Sequence, residues 1–154
     1  MGDRSNVNII TEARADGTNV GINVHLHWGG QIALVEALKA LRPYSLHDAN
    51  RSTSGQVSYQ DDPVRMTTAV LHTLYRMGGY DEPYNVYVTP FSTTHNKATA
   101  FTGDNEHTIV TIDAPRGRIV LRDDVDGSIR EFEWGNVDEA SHALLDMERG
   151  HGRL

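Results

Sequence analysis

The 154-residue chain contains no cysteine. Disulfides and thiolate metal sites are therefore excluded, a composition that suits a cytoplasmic protein. It also lacks any apolar run near the roughly 18 residues of a membrane span, so no membrane partner is expected. Met1–Asn6 has no apolar core, and no secretion signal is expected there. Basic residues are few: 14 Lys and Arg stand against 21 Asp and Glu, a formal net charge of −7. Nonspecific nucleic-acid binding needs cations to neutralise phosphates, and this balance argues against it. No Walker loop, dinucleotide fingerprint or nucleophile elbow is present, and no cofactor is expected.

What the chain does have is the stretch His25-Leu26-His27-Trp28-Gly29-Gly30. It ends the strongest strand pattern, Val20–Trp28, and precedes the clearest helix pattern, Gln31–Leu41. Strand side chains alternate faces, so Val20, Ile22, Val24, Leu26 and Trp28 are expected on an apolar face, with Trp28 buried. Asn23, His25 and His27 then line the other face. The glycines allow a sharp turn, and free amides at a helix start, backed by the helix dipole, form an anion site. His27, Trp28, Gly29, Gly30 and Gln31 are the candidate ligand-binding residues. The competing reading makes Trp28 core, the glycines a turn and the histidines polar-face residues.

Asn6–Ala13 alternates as a strand, with Val7 and Ile9 on one face, and Asp16-Gly17 marks a hairpin turn. In the first helix Ile32, Val35, Leu38 and Leu41 recur at threes, broadened by Leu34 and Ala37. Pro43 is expected to end this helix. Residues 43–60 and 92–106 read as polar loops whose role is open. Asp62-Pro63 starts a second helix, with Val64, Thr67, Thr68, Leu71, Leu74 and Tyr75 inward, and Gly78-Gly79 ends it. Tyr84–Phe91, His107–Asp113, Arg118–Asp123 and Ile129–Trp134 read as strands. Asn136-Val137-Asp138-Glu139 has the spacing of a capping box opening a last helix, with Ala140, Ala143, Leu144 and Met147 inward. The expected fold is α+β, a largely antiparallel sheet of about six strands packed by three helices in the order β-β-α-α-β-β-β-β-α. One domain, 1–154, is expected, with loose ends at about 1–5 and 150–154.

If every connection reverses the chain, Arg116 and Arg118 fall near Gly29-Gly30 and join the candidate anion site. No metal is expected; were one bound, His25, His27 and His107 would be its ligands. Asp124-x-Asp126-Gly127 has part of a calcium-loop spacing, but Arg122 would occupy the first ligand position. A hairpin turn explains it better.

His27-Trp28-Gly29-Gly30, taken with Asn6-Val7-Asn8-Ile9 before it and Ala37-Leu38 after it, resembles a group of small uncharacterised proteins of actinobacterial phages and prophages. Arg130-Glu131-Phe132-Glu133 is similar in style. The resemblance covers the first quarter of the chain well and the last third loosely, and His25 lies outside the shared motif. It implies a phage accessory protein in the host-cell cytoplasm, one acting against host defence, and carries no activity with it. Three functions stay open. The first is sequestration of a small anionic, nucleotide-like ligand. The second is a hydrolase acting on such a ligand through His27. The third is an acidic inhibitor that mimics nucleic acid and binds a host protein. Self-association is open in each.

Overall fold

The computed structural model describes residues 3–54, 63–78, 85–93 and 105–153. Nine strands and helices follow in the expected order: β1 (Ser5–Ala13), β2 (Asn19–Leu26), α1 (Gly30–Ser54), α2 (Pro63–Gly78), β3 (Val86–Thr93), β4 (Ile109–Asp113), β5 (Arg118–Arg122), β6 (Ile129–Glu133) and α3 (Val137–Gly150). A 3-10 turn, Trp134–Asn136, leads into α3. The strands form one mixed sheet in the order β3-β2-β1-β4-β5-β6. Four of its pairings are antiparallel, and the central one, β1 with β4, is parallel. None of the described helices is long and apolar enough to cross a membrane.

One face of the sheet carries the core. Val7 and Ile9 of β1, Val24 and Leu26 of β2, Val110 and Ile112 of β4, and Ile119 and Leu121 of β5 are buried there against all three helices. In α1 the inward residues are Ala33, Leu34, Ala37, Leu38 and Leu41, whereas Ile32 is 60% exposed. Strict spacing of three cannot hold one face: nine residues at about 100° each set Ile32 half a turn from Leu41. Met66, Val70 and Leu74 carry the face of α2, with Leu71 and Tyr75 packed beside them and Thr68 exposed. Ala140, Ala143, Leu144 and Met147 line α3 as expected.

Several boundaries differ from expectation. α1 runs through Pro43 to Ser54 rather than stopping at Arg42. Proline removes one donor from a helix, and residues 44–54 contain neither glycine nor a second proline to stop it. β3 continues past Phe91 to Thr93, and Pro90 within it, opposite Ile22, is tolerated because β3 is an edge strand. Asn136 precedes α3 without a side-chain capping bond, so the expected capping box does not form. Asp62, Gly79, His95 and the segments 55–62 and 94–104 lie outside the described residues.

The expectation that Trp28 is buried is overturned: it is 51% exposed. β2 ends at Leu26, so the alternation that placed Trp28 inward stops before reaching it. Trp28 instead makes an isolated parallel bridge with Asp3, and its ring meets His27 edge-on at 5.5 Å. The two glycines are required by the packing. Gly30 opens α1 at φ +52°, and a Cβ at Gly29 would lie 2.9 Å from the Ala33 Cβ and 3.2 Å from that of Leu26.

Replacing these glycines should therefore destabilise the fold. Gly29→Ala is expected to cost about 1–3 kcal/mol by overpacking, and Gly30→Ala about 1–2 kcal/mol from the left-handed backbone. Gly135→Ala, where a Cβ meets nothing within 4 Å, is the control and should change stability little. Urea unfolding of the three variants checks the ranking.

Candidate functional site

The parallel pairing of β1 with β4 decides which residues meet. It places the start of β4 beside the start of β1, and therefore beside the end of β2 and Gly29-Gly30. The β4–β5 turn falls at the opposite end, where Arg116 bonds Asp113 and Asn19. Arg118 pairs with Glu131 near it. Arg116 and Arg118 consequently do not join the glycines. The expectation failed because β3 and β4 run in the same direction, so the chain does not reverse at every connection.

At the Gly30 end the chain supplies its own ligand to the helix start. The Asp3 carbonyl accepts from the Gly29 and Gly30 amides, both at 3.0 Å, and the Asp3 amide donates to the His27 carbonyl. The His27 amide donates in turn to Asn85. The Asp3 carboxylate lies over Gly30, where a Cβ would overlap its Oδ2. Its Oδ1 is 2.5 Å from Nε2 of His107.

His107 is the centre of this cluster. Its ring is 5% exposed, and its Nδ1 lies 2.7 Å from Oε2 of Glu148, whose side chain is fully buried at the end of α3. The other Glu148 oxygen accepts from the amide and hydroxyl of Thr108, both at 2.7 Å, and from Arg153 at 3.4 Å. Burial alone would disfavour charge on both groups. The hydrogen bonds and opposite charges outweigh it, raising the His107 pKa above the ordinary 6.5 and lowering that of Glu148 below the ordinary 4.5. The arrangement is an imidazole ring between two carboxylates, which favour its charged form. Arg4 and Glu106 pair just beside it, and the Arg4 amide bond holds the Glu106 pKa down. Asp3, Gln31, Glu106, His107 and Arg153 together line an open depression of about 520 Å³.

His25 is not part of this cluster. It lies on the other face of the sheet, with Nδ1 3.1 Å from the Asn6 Oδ1 and its ring 6.0 Å from Tyr87. There Asn23 donates to Asn6 and Asn8, Asn8 to Thr111, and Asn6 to Asn105. Asn6, Asn8 and Asn23 are buried, so this polar face is an amide network rather than a solvated one. His25, His27 and His107 do not converge as a set of three metal ligands.

Among the described residues, Asp123, Asp124 and His151 do place three donor atoms within 4.8 Å of one another. Their charges are already matched. Arg153 grips both Asp124 oxygens at 2.9 and 2.8 Å, and His151 Nε2 lies 2.6 Å from Asp123. The other Asp123 oxygen accepts the Val125 and Asp126 amides, forming the hairpin turn between β5 and β6. This cluster fastens Gly150–Arg153, a segment expected to be loose. Asp3–Ser5, expected to fray, is fastened likewise by the Asp3 bonds and the Ser5–Leu26 pairing.

No protein-family model, curated protein or solved structure matches the chain.

Asp3, Glu148 and Arg153 went unnoticed in the sequence. One signal pointed to Glu148. At four-residue steps from Ala140 and Leu144, it puts a charge on an apolar stripe.

The pKa shifts set the pH range of stability. His107, raised in the fold, stabilises fully below its unfolded value and loses that contribution as pH rises through its folded value. Glu148, lowered in the fold, contributes above its unfolded value and loses it as pH falls through its folded value. Stability measured by urea unfolding should peak between the two. Glu148→Ala should cost about 3–5 kcal/mol, since it strands a buried charge, and should flatten both limbs of the profile.

Proposed function

We propose that the depression at the Gly30 end binds a small anionic ligand, with a phosphate or carboxylate group directed at His107. The observation that carries this reading is the hold on His107: buried Glu148 fixes Nδ1 and favours the charged ring, so that Nε2 faces an oxyanion position that the Asp3 carboxylate occupies. Gln31 at the start of α1 and Arg153 line the same depression. The start of α1 adds the positive end of its dipole. The site is thus adjacent to the one expected from His27-Trp28-Gly29-Gly30, but its principal donor is His107. Trp28, exposed beside it, offers an apolar surface for a base or other flat group. In a phage accessory protein such a site would sequester a nucleotide-derived signal of the host.

The enzymatic alternative moves from His27 to His107. An imidazole oriented by a buried carboxylate is the pairing used by a general acid–base group, whereas His27 is held through its backbone. The nucleic-acid mimic is less well supported. Asp3, Glu148, Glu106, Asp123 and Asp124 at this end are all paired with His or Arg, which breaks up any phosphate-like array.

Calorimetric titration with nucleoside monophosphates against the corresponding nucleosides tests the reading. The monophosphate should bind more tightly, and His107→Gln should weaken it about ten- to a hundredfold, the worth of a charge-assisted bond. Gln31→Ala, which leaves the buried pair intact, should weaken it less. Arg118→Ala, at the other end of the sheet, should leave binding unchanged. Equal affinity for nucleoside and nucleotide, or unchanged affinity in folded His107→Gln, would refute the site. Hydrolysis of the bound nucleotide during titration would favour the enzymatic alternative.

A further inference from the structure

The two carboxylates on His107 are held very differently. Glu148 is fully buried and accepts from His107, Thr108 and Arg153. The Asp3 side chain is 55% exposed, and among the described residues it bonds His107 Nε2. The backbone of Asp3 is secured separately, by its bonds to His27, Gly29 and Gly30. Rotation of the side chain into solvent would therefore leave the entry to β1 in place. One carboxylate is fixed by the fold, and the other is free to exchange.

We propose that the Asp3 carboxylate is a built-in competitor for the oxyanion position, and that a ligand's phosphate or carboxylate binds His107 by displacing it. The inference rests on the site reading above and adds its regulation. An intramolecular carboxylate competes at a high effective concentration, so the intrinsic affinity of the site is reduced by the fraction of time that Asp3 occupies it. Its charge also repels an incoming anion, as does that of Glu106 across the depression.

The test titrates inorganic phosphate, and acetate as the nearest mimic of the Asp3 side chain, into wild type, Asp3→Ala and Asp3→Asn at constant ionic strength. Calorimetry and the shift in Tm are read together, because a ligand that binds only the folded state raises Tm. Asp3→Ala should bind phosphate at least about tenfold more tightly than wild type. Asp3→Asn, which keeps the size but not the charge, should fall between them. Adding His107→Gln to Asp3→Ala should abolish the gain. Equal affinity in wild type and a folded Asp3 variant would overturn the competitor while the site stands. Absence of binding in all three proteins would overturn the competitor together with the site.

Discussion

The buried pair of Glu148 and His107 is the interaction on which the Gly30 end of the molecule depends. A carboxylate without exposure is costly unless every lone pair is used. Here the imidazole, the Thr108 amide and hydroxyl, and Arg153 use them. These partners come from the end of α3, the approach to β4 and the C-terminal tail. Through the second ring nitrogen the same pair reaches Asp3, and through Asp3 the turn at Gly29-Gly30. The His107 ring thus joins the end of α3 to the N-terminal stretch, whose backbone is held separately by the Asp3 bonds. Hydrophobic burial holds the helices to the sheet, but it does not determine how these ends meet.

The same pair links fold to function. The Glu148 carboxylate that orients the His107 ring also favours its charged form, in which Nε2–H is a donor at the surface of the depression. In the proposed function, structural need and anion recognition would fall on one side chain. Arg153 has a similar double duty, spanning Asp124 and Glu148 while lining the depression. A variant that loses binding by unfolding differs from one that loses it by removing a donor only in its stability, which is why comparisons at this site need an unfolding curve beside each titration.

Much of the fold was legible because it follows local periodicity. The order of elements, the Val7–Ile9 face of β1 and the inward stripe of α3 all follow from spacing. The parallel β1–β4 pairing did not, since it joins residues about a hundred positions apart and no local pattern encodes it. That single missing contact misplaced Arg116 and Arg118 and hid the approach of His107 to Gly30. Alternation was over-extended at Trp28, where the strand had already ended. It also misled on the far face: Asn6, Asn8 and Asn23 look like solvent-facing residues, yet they are buried and joined by amide bonds. Their type was the clue, for a solvated strand face would more often carry charge than three asparagines.

The central claim is that His107 stands as an imidazolium between two carboxylates. Nitrogen NMR of the histidine rings across pH tests it most directly, because Nδ1 and Nε2 report protonation separately. The account expects the His107 ring to titrate above the ordinary 6.5, with both nitrogens protonated below that point. A His107 ring that titrates below 6.5, or whose Nδ1 carries no proton, would contradict it.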